Sequence, residues 1–343
     1  MTREEAKQII AKTKKVFGNK LVILAHHYQS DEIIEFSDYV GDSLELARQV
    51  THLTQARIII FCGVYFMAET AAILAPDKDV YIPDKNAGCP LADMAIIDNV
   101  LKAWEVISNL GKSVVPITYV NSTAEVKAFC GKYNGTVCTS GNATEIFKWG
   151  LKSFGKIFFL PDRSLGRNTA YSLNIEDSDI FEWDFTKKHS ENDVENLRNA
   201  KIILWKGYCP VHWPVFSVND INRLRALYPD IKIIVHPECD PEVVKASDMA
   251  GSTSRIIAFA NEQKSGTKVA IGTEYNLVNR LAIKLREKVD IIPLYKTFCD
   301  DMGKVTLEKL ALTLLDLDNS KNVKVDKIVS DNALISLENM LKI

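Results

Sequence analysis

No Cys-x-x-Cys pair occurs among the seven cysteines of this 343-residue chain, so the ligand spacings of ferredoxins and zinc ribbons are absent. No apolar run approaches the roughly 20 residues that a membrane-spanning helix needs, and residues 1–8 are charged, with no apolar h-region, so neither a membrane span nor a signal peptide is expected. Lysine and arginine, 42 together, do not outnumber the 44 aspartates and glutamates, and the net charge is −2. That balance argues against a general nucleic-acid binder, which shows a basic patch or stripe. Gly/Ser linkers and low-complexity tracts are missing too, so the units of the chain should pack directly on one another. An odd cysteine count without an export signal argues against a disulfide scaffold and for reduced thiols or metal ligands in the cytoplasm. What is present is an ordinary globular composition, 47% hydrophobic, with length for two or three domains of about 100–200 residues each.

The order of segments is that of parallel α/β folding. Residues 21–25 form a continuous apolar run, the mark of a strand buried on both faces. It ends in His26-His27-Tyr28-Gln29, and a helix entered by Gly41-Asp42-Ser43 follows. Strand 58–61 runs into Gly63-Val64-Tyr65, and strand 80–83 leads to Cys89. Strands 113–118, 136–139, 156–160 and 201–205 repeat this grammar, ending in Tyr119-Val120-Asn121, Ser140-Gly141-Asn142, Pro161-Asp162-Arg163 and Gly207-Tyr208-Cys209-Pro210. A third round starts with strand 231–235 and His236-Pro237-Glu238-Cys239, passes Gly251-Ser252-Thr253 and Gly272-Thr273-Glu274, and closes with strand 290–294 before Cys299. The reading is an α/β protein of three units, 18–92, 93–212 and 213–302, with terminal helices in 1–17 and 303–343 packed upon them. The polar, acidic residues 171–199 interrupt the pattern and read as a surface excursion.

In open parallel sheets ligands bind beyond the carboxyl ends of the strands. Those ends carry His26, Tyr28, Tyr119, Asn121, Ser140, His236 and Glu238. Ser122…Glu125 and Asn142…Glu145 fit capping boxes, and helix starts with free N–H groups suit carboxylate or phosphate. Each such residue could equally well cap only its own helix. Cys62, Cys130 and Cys138 sit in strand or helix contexts where thiols pack as small hydrophobes. Cys89, Cys209 and Cys299 instead follow strand ends into loops, 120 and 90 residues apart, so only a fold that gathers three strand ends brings them together. Three thiolates suit either a catalytic metal with an open position or an iron–sulfur cluster lacking one protein ligand. His212 lies three residues past Cys209, near enough to serve a ligand on the same loop, and Glu238 could supply a general base.

These pieces resemble the quinolinate synthase family, the A proteins of bacterial NAD biosynthesis. Ala25-His26-His27-Tyr28-Gln29, Gly63-Val64-Tyr65-Phe66-Met67-Ala68-Glu69, Cys138-Thr139-Ser140-Gly141-Asn142, Cys209-Pro210-Val211-His212, Ile271-Gly272-Thr273-Glu274 and Cys299-Asp300-Asp301-Met302 stand in the family's order along nearly the whole chain. The resemblance implies three pseudo-symmetric αβα units with short parallel sheets around a central cavity. It implies a [4Fe–4S] cluster held by Cys89, Cys209 and Cys299, with one iron not bound by cysteine. The reaction implied is condensation of iminoaspartate with dihydroxyacetone phosphate to quinolinate, phosphate and water. An iminoaspartate-supplying partner, L-aspartate oxidase or aspartate dehydrogenase, goes with it. Mapped by motif, substrate contacts fall on His26, Ser43, Tyr119, Val120, Asn121, Ser140, His236, Pro237, Glu238 and Thr253. Tyr28 and Glu238 are the expected proton-transfer groups, and His212 and His236 the groups that polarise substrate oxygens. An aconitase-like hydro-lyase and a non-catalytic iron–sulfur sensor are the rival readings.

Overall fold

A computed structural model describes residues 1–110, 113–188, 190–318 and 322–343. The first sheet comprises β1 (Leu21–His26), β2 (Tyr39–Gly41), β3 (Ile58–Cys62) and β4 (Asp79–Tyr81), paired in parallel in the order β2-β1-β3-β4. Every residue of β1 is buried. A parallel strand covered by helices on both faces has no solvent side, hence its unbroken run of Leu, Val, Ile and Ala.

The second sheet holds β5 (Val115–Tyr119), β6 (Thr136–Cys138), β7 (Ile157–Leu160), β8 (Ile180–Trp183) and β9 (Ile202–Trp205), in the order β6-β5-β7-β9-β8. The third holds β10 (Lys232–Val235), β11 (Met249–Ala250), β12 (Thr267–Gly272) and β13 (Val289–Pro293), in the order β11-β10-β12-β13. With β8 set aside, one topology occurs three times: second strand, first strand, third strand, last strand. The predicted three-unit α/β architecture is therefore the observed one.

Residues 171–199 are more than a surface excursion. They contribute β8, which pairs in parallel with β9 at the edge of the middle sheet, and the helix Glu191–Asn199. Phe181 and Trp183 are buried while Glu182 between them is half-exposed, the period of a one-sided strand. Acidic neighbours mask that short signal.

The helices Arg3–Phe17 and Leu307–Leu315 pack together, and the helix Lys327–Lys342 lies along the helix Ala124–Lys132 of the middle unit. Gly131 makes the second contact possible: a β-carbon there would stand 1.9 Å from the Asn332 carbonyl oxygen. Among the described residues no helix is long and apolar enough to cross a membrane.

Candidate active site at the meeting of three sheets

The repeated topology places chemically matched residues around one cavity. The first strands, β1, β5 and β10, bring His26, Tyr119 and His236 to its wall. Two residues further along each chain stand Tyr28, Asn121 and Glu238, also on the wall. The second strands lead to Ser43, Ser140 and Thr253, each at or just before a helix start, and the last strands lead to Cys89, Cys209 and Cys299. His212 joins from the turn after Cys209, and Val64, Phe66 and Met67 add an apolar side.

Val120 and Pro237, the expected contacts between those positions, do not line the cavity. Both lie in the bend or turn that follows a strand, β5 ending at Tyr119 and β10 at Val235. Val120 N–H donates to the Cys138 carbonyl, and the Pro237 carbonyl accepts from the Asn168 side chain. The expected capping boxes are also absent. Ser122 Oγ donates to the Tyr119 carbonyl at 2.8 Å, and Asn142 Oδ1 accepts from Thr139 N–H at 2.7 Å, so both hold a strand end instead of a helix end.

The seven cysteines divide cleanly. Cys62, Cys130, Cys138 and Cys239 are wholly buried, whereas Cys89, Cys209 and Cys299 are partly exposed and share the cavity. Those three also share a local fold. Each carbonyl accepts from the N–H four residues on, Asp93 at 3.0 Å, Trp213 at 2.9 Å and Gly303 at 3.0 Å. Burial pushes the three thiols up, Cys299 to about 11, while N–H groups of the following turn pull each one down. A bound cation would complete what those N–H groups begin. Cys209, His212 and Glu238 also place one donor atom each within 4.8 Å of one another, a group that could hold a metal ion.

His26 and His236 are buried and repeat one arrangement. The backbone N–H of Tyr28 donates to His26 Nδ1 at 3.2 Å, and that of Glu238 reaches His236 Nδ1 at 3.4 Å. In each neutral ring Nδ1 is thus the acceptor, and Nε2 carries the proton. Burial lowers both histidines to about 3, helped by His27 and His236 at His26 and by His212 at His236. Burial works to raise the Glu238 carboxyl, but His236, His212 and the Tyr119 hydroxyl outweigh it and hold it below the usual range. Tyr28 and Tyr119 are driven well above 10 by burial and then by the Glu238 charge, so both are neutral phenols able to donate. Glu238 Oε2 lies 2.7 Å from His212 Nδ1, off the line a hydrogen bond would take.

Near the site, Asn168 and Lys127 carry no signal in sequence, and Thr273 stands in a strand-end motif that gives it no role. Asn168 donates to the carbonyls of both Pro237 and Cys239, bridging the middle and third units around Glu238. The buried Lys127 donates to the Ser122 carbonyl, and burial lowers its ammonium to about 8. Thr273, fully buried, sits between Tyr28 and His212. Only a pattern tying sites tens to hundreds of residues apart could have found them.

A profile of the quinolinate synthetase A protein family matches residues 8–342. The chain is 44% identical over 349 residues to a quinolinate synthase of Bacillus cytotoxicus, covering 100% of this chain and 94% of that one. It is 45% identical over 344 residues to a quinolinate synthase of Lysinibacillus sphaericus, covering 98% and 93%. A quinolinate synthase of Anoxybacillus flavithermus is 44% identical over 347 residues, again covering 98% and 93%.

Proposed function

The chain belongs to the quinolinate synthetase A protein family, and from that membership we propose that it is a quinolinate synthase of NAD biosynthesis. It condenses iminoaspartate with dihydroxyacetone phosphate, releasing quinolinate, phosphate and two waters. The observation that carries this reading is the convergence of three like-folded cysteines with a carboxylate, two phenols and three imidazoles on one cavity.

The residues present fit a [4Fe–4S] cluster with one iron free of cysteine. Cys89, Cys209 and Cys299 alone among the seven reach the cavity, and their turns offer N–H groups that stabilise thiolate. The bound cluster would supply a Lewis acid able to polarise a substrate oxygen. Ser43, Ser140 and Thr253 hold the anionic ends of the substrates with hydroxyls at or beside helix starts, where free N–H groups favour negative charge. His26, Tyr119 and Asn121 donate to substrate oxygens. Glu238, ionised and buried, takes protons from carbon or nitrogen, and Tyr28 returns them to departing oxygens. His212 and His236 polarise substrate oxygens, while Val120 and Pro237 serve through their backbones, by fixing the residues on either side. The iminoaspartate comes from L-aspartate oxidase or aspartate dehydrogenase.

A second reading puts a single divalent ion on Cys209, His212 and Glu238, from their closeness alone. It leaves Cys89 and Cys299 without a use. Anaerobic purification, iron and sulfide analysis, and an assay for quinolinate from the two substrates decide the matter. Full iron and sulfide without quinolinate would overturn the proposal, and one metal ion per chain would favour the second reading.

A further inference from the structure

The helix Tyr275–Leu285 of the third unit buries Leu277, Val278 and Leu281. Asn276 and Arg280 stand four residues apart on the same helix, so they share one face of it. That face meets the turn that carries Tyr28. Asn276 Nδ2 donates to the Tyr28 carbonyl at 3.0 Å, Arg280 Nη1 to the His27 carbonyl at 3.0 Å, and Arg280 Nη2 to the Gln29 carbonyl at 2.6 Å. Three consecutive carbonyls of the first unit are thus held by two side chains of the third. Neither Asn276 nor Arg280 lines the cavity, whereas His26 and Tyr28 do.

The other polar groups of the turn are also committed. Tyr28 N–H donates to His26 Nδ1 at 3.2 Å, and Gln29 N–H donates to the His26 carbonyl at 3.0 Å. The Gln29 amide donates to the carbonyl of Met302, three residues past Cys299, at 3.1 Å. A shift of this turn therefore carries the Tyr28 phenol and the His26 imidazole with it.

We propose that Arg280 is a positioning residue that, with Asn276, sets the Tyr28 turn against the third unit's side of the cavity. The inference rests on the active-site reading above, in which Tyr28 moves a proton and His26 holds substrate. The planar guanidinium presents its donors as a rigid fork, which reaches two carbonyls one residue apart. A lysine there keeps the charge but has one ammonium on a flexible stem. Arg280 Nε also donates to Asp31 Oδ1 at 2.6 Å. The Asp31 side chain is 57% exposed, and an ion pair so open to water adds little. The carbonyl bonds are the working part of the contact.

The test compares wild type, Arg280→Lys and Asp31→Asn, purified anaerobically with the cluster intact. Arg280→Lys should lower kcat for quinolinate about ten- to a hundredfold, the order that a small misplacement of a working group costs, with KM little altered. Asp31→Asn should keep the wild-type kcat. A second readout needs no reaction: amide hydrogen exchange in a peptide covering residues 27–30, with β7 as an internal reference. Exchange in residues 27–30 should quicken in Arg280→Lys while β7 holds, and neither should change in Asp31→Asn. A wild-type kcat or wild-type exchange in Arg280→Lys overturns the proposal. So does an equal effect of Asp31→Asn, which makes the ion pair the working contact, or an equal rise in β7, which makes the role one of overall stability. Wild type that forms no quinolinate sinks the functional reading instead, and the exchange result then decides by itself whether Arg280 sets the turn.

Discussion

The imidazole rings of His212 and His236 lie face to face, their centroids 4.5 Å apart and their planes 20° from parallel. Two like charges do not share such a stack, and His236 stays neutral down to about 3, first through burial. His26 is held at about 3 in the same way. An unfolded histidine binds its proton near pH 6.5, so between about 6.5 and 3 the unfolded chain holds more protons than the folded one. Stability therefore falls as pH drops through that window. Thermal unfolding should show a midpoint declining from pH 7 to pH 5, with a shallower decline in His26→Gln. Equal slopes would remove His26 from the account.

The cysteines make a spectroscopic prediction. Serine at Cys89, Cys209 or Cys299 should abolish the broad visible absorption of an iron–sulfur cluster and lower bound iron and sulfide. Serine at the core residues Cys62 or Cys138 should leave all three measurements alone. A variant of the first group with full iron and sulfide would be fatal to the ligand assignment.

Tyr28→Phe and Glu238→Gln preserve shape while removing an acid or a base. If proton transfer is their work, turnover should fall about 10²–10⁴-fold in each, with the absorption spectrum intact. Near-normal turnover in both would place the acid–base chemistry on other groups.

Asn168 bridges the carbonyls on either side of Glu238, 2.9 Å from each. Asn168→Ala leaves two carbonyls without that donor, at a cost of about 1–2 kcal/mol, and lets the Glu238 loop move. Asn168→Asp should be worse, since a carboxylate faces the same two oxygens. We expect lower kcat in both, with the larger loss in Asn168→Asp. Unfolding midpoints measured alongside separate a displaced base from a failing fold, and equal, wild-type kcat values would dismiss the clamp.

Much of this was legible in the chain. Continuous apolar runs marked β1, β7 and β9, because a strand covered on both faces needs nothing polar. Cys89, Cys209 and Cys299, past strand ends, stood apart from Cys62, Cys130 and Cys138 inside elements, and burial separates these groups too, while Cys239, past the end of β10 yet wholly buried, sorts with the core. Other features were hidden for physical reasons. β8 is four residues long and flanked by acids, so its alternation is brief. Val120 and Pro237 sit in motifs whose neighbours face the cavity, and only backbone direction tells them apart. Asn168 meets Pro237 across 69 residues and Tyr28 meets Thr273 across 245, distances at which local pattern says nothing about contact.

The helix Lys327–Lys342 closes over the helix Ala124–Lys132, and Ser336 Oγ donates to the Lys127 carbonyl 209 residues earlier in the chain. Thr136 and Gly135, at the start of β6, are tied to the same late helix through Ser336 and Asn339. During synthesis the ribosome will have delivered all three sheets before that cover exists. The apolar side of the helix Ala124–Lys132 must wait, exposed to other nascent chains, while later residues emerge. Tyr119, Asn121 and Ser140 belong to the unit that the late helix covers. A chain cut before residue 327 would carry every group named at the site and still leave the ribosome as an aggregation-prone intermediate.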